Sequence, residues 1–122
     1  MTSAEFRTMA LGFPGAVESA HVNHPDFRIH GKVFATLGYP DDGWGMVKLT
    51  PEQQRLFVQR SPEAFGPCRG TWGKGGATNV HLASADRKIL GAALAAAFDS
   101  VASRGKKGTG GAVPGSTTSP GK

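Results

Sequence analysis

Cysteine is nearly absent from this 122-residue chain, where Cys68 stands alone. No intrachain disulfide can form, so packing has to hold the fold, and a reducing compartment, the cytoplasm, is the expected setting. No apolar run approaches the roughly 20 residues that a bilayer-spanning helix needs. The N-terminal MTSAEFRTMALGF also lacks the basic-then-apolar layout of a secretory signal. A membrane is therefore not an expected partner. Residues 105–122 contain no acidic and no aromatic residue, only Gly, Lys, Thr, Ser, Pro, Ala and one Val. Such a composition cannot bury enough apolar surface to offset ordering, so this segment is expected to be a disordered tail. Residues 1–104 remain as a single domain, large enough to fold without a disulfide or a structural metal.

Chemistry-bearing constellations are scarce too. His21-x-x-His24 has metal-like spacing, but no carboxylate or cysteine follows at a matching interval, and His30 and His81 belong to other strands. Cys68 has no His or Asp partner in sequence. Asp41 and Asp42 are adjacent in a turn, which suits turn chemistry better than an acid/base pair. No nucleophile-elbow glycine pattern supports a Ser-His-Asp arrangement. No metal or other cofactor and no catalytic residue is expected, and a binding module is preferred to an enzyme.

The formal charge of +5 invites a polyanion as partner, but the tail holds three of the fourteen basic residues and none of the nine acids. The expected domain therefore carries eleven basic residues against nine acidic, a net of +2. Lys106, Lys107 and Lys122 of the tail would add weak, salt-sensitive attraction.

What is present is a run of short alternating segments. The stretch HPDFRIHGKVFATLGYPDDGWGMVKL (24–49) reads as three strands joined by tight turns. Phe27 and Ile29 alternate against Arg28 and His30; Val33, Ala35 and Leu37 alternate against Lys32, Phe34 and Thr36. Gly31-Lys32 is expected to be the first corner and Pro40-Asp41-Asp42-Gly43 the second. Before this stretch, residues 3–11 form an entry helix and Ala16–Val22 is a modest strand candidate. After it, Thr50-Pro51-Glu52-Gln53 starts a helix through a capping box with Pro at its first position, and Leu56 and Phe57 are assigned to its inner face. Pro62–Phe65 reads as one more helical turn, Gly66–Gly76 as an irregular glycine-rich loop, and Ala77–Ala83 as another strand. Ser84 is expected to cap a closing helix over Ala85–Ser103. Strands grouped between helices imply an α+β fold. Its simplest form is an antiparallel sheet of four to five strands with helices on one face and the other face open.

Four blocks now stand in order: His24-Pro25-x-Phe27-Arg28; Gly31-Lys32-x-Phe34-Ala35-Thr36-Leu37; Lys48-Leu49 with Pro51-Glu52-Gln53; and Gly70-x-Trp72-Gly73 with Gly76-Ala77-Thr78-x-Val80-x-Leu82. Together they resemble the MmcQ/YjbR-like family of small bacterial proteins over roughly residues 4 to 103. The resemblance implies a frataxin-like, double-wing fold and DNA as a partner.

The candidate contacts are then Arg28, Lys32 and Lys48 on the open sheet face, Arg69, and Trp72 with Lys74 in the glycine-rich loop, with the cations on phosphates and an indole on a base. Each has a plainer reading. The cations can be a solvated face covering aromatics. Trp72 can anchor its loop to the core, and His24 can serve its pre-proline turn. The competing function is a protein-interaction or small-ligand domain using the same face near Phe34 and Trp44. Neither composition nor pattern speaks to oligomeric state.

Overall fold

The computed structural model describes residues 1–21, 24–38 and 41–107. Among the described residues, four α-helices and six strands follow in the order α1 (Ser3–Leu11), β1 (Val17–His21), β2 (His24–Ile29), β3 (Lys32–Leu37), β4 (Trp44–Lys48), α2 (Pro51–Arg60), β5 (Phe65–Pro67), α3 (Gly70–Lys74), β6 (Ala77–His81) and α4 (Arg87–Lys107), with a short 3-10 turn at Leu82–Ser84 before α4. The strands form one antiparallel sheet in the order β1-β2-β3-β4-β6-β5. The α+β reading holds, with six strands rather than four to five. The additional strand is β5, in a segment expected to begin with a helical turn.

Local chemistry explains the helix starts. Thr2 and Glu5 form a reciprocal capping box on α1, and Thr50 and Gln53 form one on α2, with Pro51 in its first turn. The Ile89 amide donates to Asp86 Oδ1, so Asp86, not Ser84, serves the start of α4. That helix continues to Lys107, past its expected end at Ser103. The rest of the tail lies outside the described residues.

The main core lies between the sheet and the helices. Phe6, Phe27, Phe34, Val47, Leu49, Val80, Leu90 and Leu94 are completely buried in it. Phe98 of α4 stacks on Phe13 at 5.0 Å and meets the edge of Phe34 at 5.4 Å. Strict alternation would turn Phe34 outward with Thr36, yet it is inside. Across β2 and β3, Phe27 faces Ala35 but Arg28 faces Val33, so β3 carries one extra residue, Phe34, as a bulge. The register slip puts Phe34 and Ala35 on the same side. The corner before β3 is His30-Gly31, both with positive φ (53° and 76°), the geometry of a tight two-residue hairpin turn.

The opposite face has a smaller cluster, in which Val33 packs against buried Met46, Cys68 and Ala77. Helix α2 also departs from expectation. Leu56 is 63% exposed, and the buried residue of α2 is Gln54.

Candidate nucleic-acid interface

The antiparallel order places the starts of β1, β3 and β6 and the ends of β2, β4 and β5 at one end of the sheet. Short helix α3 bridges β5 to β6 there. This end collects the six candidate nucleic-acid contacts: Arg28 and Lys48 near the ends of their strands, Lys32 at the start of β3, and Arg69, Trp72 and Lys74 on the α3 segment. Helix α4 runs past Phe34 toward the same end.

The six residues do not share one face, however. Arg28 pairs with Val33 and Lys48 with Ala77, and both strand partners belong to the Met46 side of the sheet. Arg28 and Lys48 flank β3 on that side, two strands or about 10 Å apart. Lys32 pairs with Ile29, whose side chain lies in the main core. The bulge that buries Phe34 thus moves Lys32 to the helix-covered side, at its exposed rim.

The cations also differ in their partners. Arg28 grips Asp26 with two parallel bonds, Nε to Oδ1 at 2.9 Å and Nη2 to Oδ2 at 3.0 Å. Those hydrogen bonds and the carboxylate charge push the guanidinium pKa further above its already high range. Asp26 is 2% exposed, so Arg28 serves the fold by compensating a buried carboxylate. Among the described residues, no carboxylate pairs with Lys48, Arg69 or Lys74. The chain has no Asp or Glu between Glu63 and Asp86, the span that carries Arg69, Lys74 and His81. The acids at this end are exposed Glu52 in the first turn of α2, Asp99 on α4, and Glu18, which is already paired with Arg7. Asp41, Asp42 and Glu63 lie in the turns at the far end.

The glycine-rich segment is not irregular throughout: it carries a short helix in the connection between the antiparallel strands β5 and β6. Gly70–Lys74 is a turn of helix, and its position is set by tertiary contact. A Cβ on Gly73 would stand 1.7 Å from the Cys68 carbonyl oxygen, so only glycine allows this approach. Gly76, at φ 113°, comes equally close to the Leu49 carbonyl. The buried Gln54 amide closes the arrangement by donating to Gly73 O at 3.0 Å, Ala77 O at 2.9 Å and Thr78 Oγ1 at 3.2 Å. Beneath α3, the Cys68 thiol donates to Asn79 Oδ1 at 3.1 Å. Burial pushes its pKa up to about 11 despite the opposing charge of Lys48. Trp72 is 40% exposed, and Gly73 and Gln54 make the buried contacts that fasten the segment.

At the far end, Trp44 lies against His81 at a ring-centroid distance of 4.7 Å, and His81 Nδ1 is 2.8 Å from Ser84 Oγ. His24 comes close enough to Gly38 that a Cβ there would sit 3.3 Å from Nδ1. Among the described residues, no three His, Cys, Asp or Glu side chains form a metal-sized group. Nor is any helix there long and apolar enough to cross a membrane.

Comparison with known proteins gives the fold a lineage. No curated protein matches the chain. The crystal structure of protein DR2400 from Deinococcus radiodurans, which carries the DUF419 domain, superposes with a TM-score of 0.72 at 19% identity. The match covers 99% of this chain and 94% of that one. At that identity the likeness establishes the fold alone. The YjbR family model matches residues 11–100, and on that match the chain belongs to the YjbR family.

Proposed function

We propose that this protein is a non-enzymatic DNA-binding module whose contact surface is the α3 end of the sheet. The observation that carries this reading is the gathering of Lys48, Arg69 and Lys74 around one rigid corner, where none of the three pairs with a carboxylate among the described residues. The three cations attract the phosphate backbone. Arg28 contributes little, because Asp26 already holds it. This is a smaller and more local footprint than a basic sheet face.

Titration of labelled duplex DNA at two salt concentrations tests the reading. Three phosphate contacts predict a fall in affinity of roughly forty-fold between about 50 and 200 mM salt. Replacing Lys48, Arg69 and Lys74 together by Ala removes most of that slope, whereas Arg28→Ala changes it little. Salt-insensitive binding, or an unchanged slope in the triple variant, contradicts the reading. One feature favours a protein partner instead: Leu56 is 63% exposed beside half-buried Phe57. The sheet face near Phe34 and Trp44 offers that partner no apolar centre, since Phe34 is buried and Trp44 packs against His81.

A further inference from the structure

We infer that β1 is a docking edge for a second copy of this chain, the two β1 strands pairing antiparallel about a two-fold axis at Ser19 to make one continuous sheet. The inference is independent of the DNA-binding reading. Strand β1 and the β5–α3–β6 corner lie at opposite edges of the sheet, so pairing through β1 leaves the α3 corner untouched. Three observations carry it.

The first is the contrast between the two edge strands. β5 has three residues and ends in Pro67, which has no N–H to offer. β1 has five residues in unbroken register with β2, contains neither proline nor lysine, and has β2 as its one strand neighbour among the described residues. Proline, lysine, bulges and shortness are the devices that blunt an edge against pairing, and β1 lacks them. Val17, Glu18, Ser19 and Ala20 are all exposed, Val17 to 56%. The second is the direction of the backbone groups. Opposed residues of an antiparallel pair alternate between exchanging both bonds and exchanging none. Ala20 stands opposite Pro25, which cannot donate, so this is a non-bonded pair and the bonded pairs are Val17–Arg28, Ser19–Asp26 and His21–His24. The amides and carbonyls of Glu18 and Ala20 therefore point away from β2, with the spacing that another antiparallel strand requires. The third is charge. With the axis at Ser19, Glu18 of each copy stands opposite Ala20 of the other, and each of these pairs exchanges two bonds. The carboxylate meets a methyl group and keeps its own partner, Arg7. Moving the axis to Glu18 would set two carboxylates opposite each other. Moving it to Ala20 would leave a single bonded pair within β1. In the Ser19 register the two serines face each other as a non-bonded pair about 4.5 Å apart at Cα, a close approach that a small side chain suits. Exposed Val17 gains cover opposite residue 21 of the other copy. A charge pattern that matches itself about an axis selects a second copy over an unrelated extended peptide. The contact is small, so the dimer is weak and concentration-dependent.

The test follows the full chain by analytical ultracentrifugation from the micromolar to the millimolar range, without nucleic acid. A monomer–dimer equilibrium is the expected result. Ala20→Pro removes the outward amide of each copy and raises the dissociation constant on the order of tenfold or more. Because the lost amide is one that β2 does not use, circular dichroism of this variant stays as in the wild type. Crosslinking tests the register. Cys68→Ala removes the sole native thiol, and Ser19→Cys or Val17→Cys is added in that background. With diamide as thiol oxidant, Ser19→Cys forms the disulfide dimer on the order of tenfold faster than Val17→Cys, whose two copies lie farther apart than the roughly 7 Å that a disulfide can bridge. If Ala20→Pro proves unfolded, the crosslinking rates decide. A chain that stays monomeric at millimolar concentration, a dimer that Ala20→Pro leaves unchanged, or equal crosslinking at the two positions would overturn the inference. The salt dependence of DNA binding is read separately, so either reading can fall without the other.

Discussion

Two corners of the same sheet end carry the candidate cations, and they are built in opposite ways. At the β2–β3 corner the turn is permissive and the charge is satisfied: Gly31 has open space around it, and Arg28 is locked onto Asp26. At the α3 corner the backbone has no slack and the charge has no partner: Gly73 and Gly76 touch carbonyl oxygens directly, while no carboxylate pairs with Lys48, Arg69 or Lys74 among the described residues. A cation that only maintains a fold is best placed beside a buried carboxylate. A cation meant for an external anion is best placed on a rigid element without one. The contrast separates the two kinds within one set of residues that looked equivalent as letters.

The largest effect expected from breaking this contrast is on stability. Gly73→Ala forces a Cβ into the Cys68 carbonyl and should cost about 3 kcal/mol or more, since neither partner is a flexible side chain. Gly31→Ala, at φ 76° with nothing nearby, should cost only about 1 kcal/mol of backbone strain. Denaturant midpoints of the two variants measure the difference, and equal losses would erase the distinction between the corners.

Next in size is Gln54. Its amide bridges α2 to α3 and β6, so Gln54→Ala should cost about 1–2 kcal/mol. Gln54→Glu should be worse than Ala despite its closer shape, because a carboxylate would face the carbonyl oxygens of Gly73 and Ala77. Greater stability of Glu than Ala in thermal melts would show that the α3 corner is held by something else.

A smaller effect sharpens the picture of the ground beneath Lys48. With its folded pKa at about 11 against an ordinary 9.0, Cys68 keeps its proton in the folded state over a range where the unfolded chain has lost it. The folded state therefore binds more protons between those values. Stability is full below about pH 9 and declines as pH rises toward 11. Comparing wild type with Cys68→Ala across that window isolates the contribution; a wild type that gains stability there relative to the variant would reverse the sign. At about pH 8 the same burial should slow alkylation of the folded thiol on the order of a hundredfold relative to the unfolded chain.

How much of this was legible in the letters follows from the range of the interactions. The capping box at Thr50-Gln53 is local, and the sequence states it directly. The strands around Phe27, Leu37 and Val47 declare themselves by alternation, and the YjbR blocks follow from residues at fixed spacing. The bulge at Phe34 is different, because it depends on how β2 pairs with β3, and no period within β3 reveals it. The α3 turn was hidden for the same reason. Its glycines suggest a loop, and what makes them helical is the carbonyl of Cys68 and the amide of Gln54. On α2, apolar letters pointed to Leu56 as the buried residue. Gln54 is buried instead because polar acceptors from Gly73, Ala77 and Thr78 gather under it. Of the candidate site, the identities were readable, while the split between structural Arg28 and available Lys48, Arg69 and Lys74 required the ion pair to be seen.

The most direct test of the α3 end as the contact surface is a map of backbone amide chemical shifts as DNA is added to the full chain at low salt. Perturbations concentrated on Lys48 and on Cys68 through Thr78, with Asp41–Gly45 and Leu56 unmoved, are the predicted result. Perturbations centred on Trp44 and His81, or on α2 around Leu56, would contradict it.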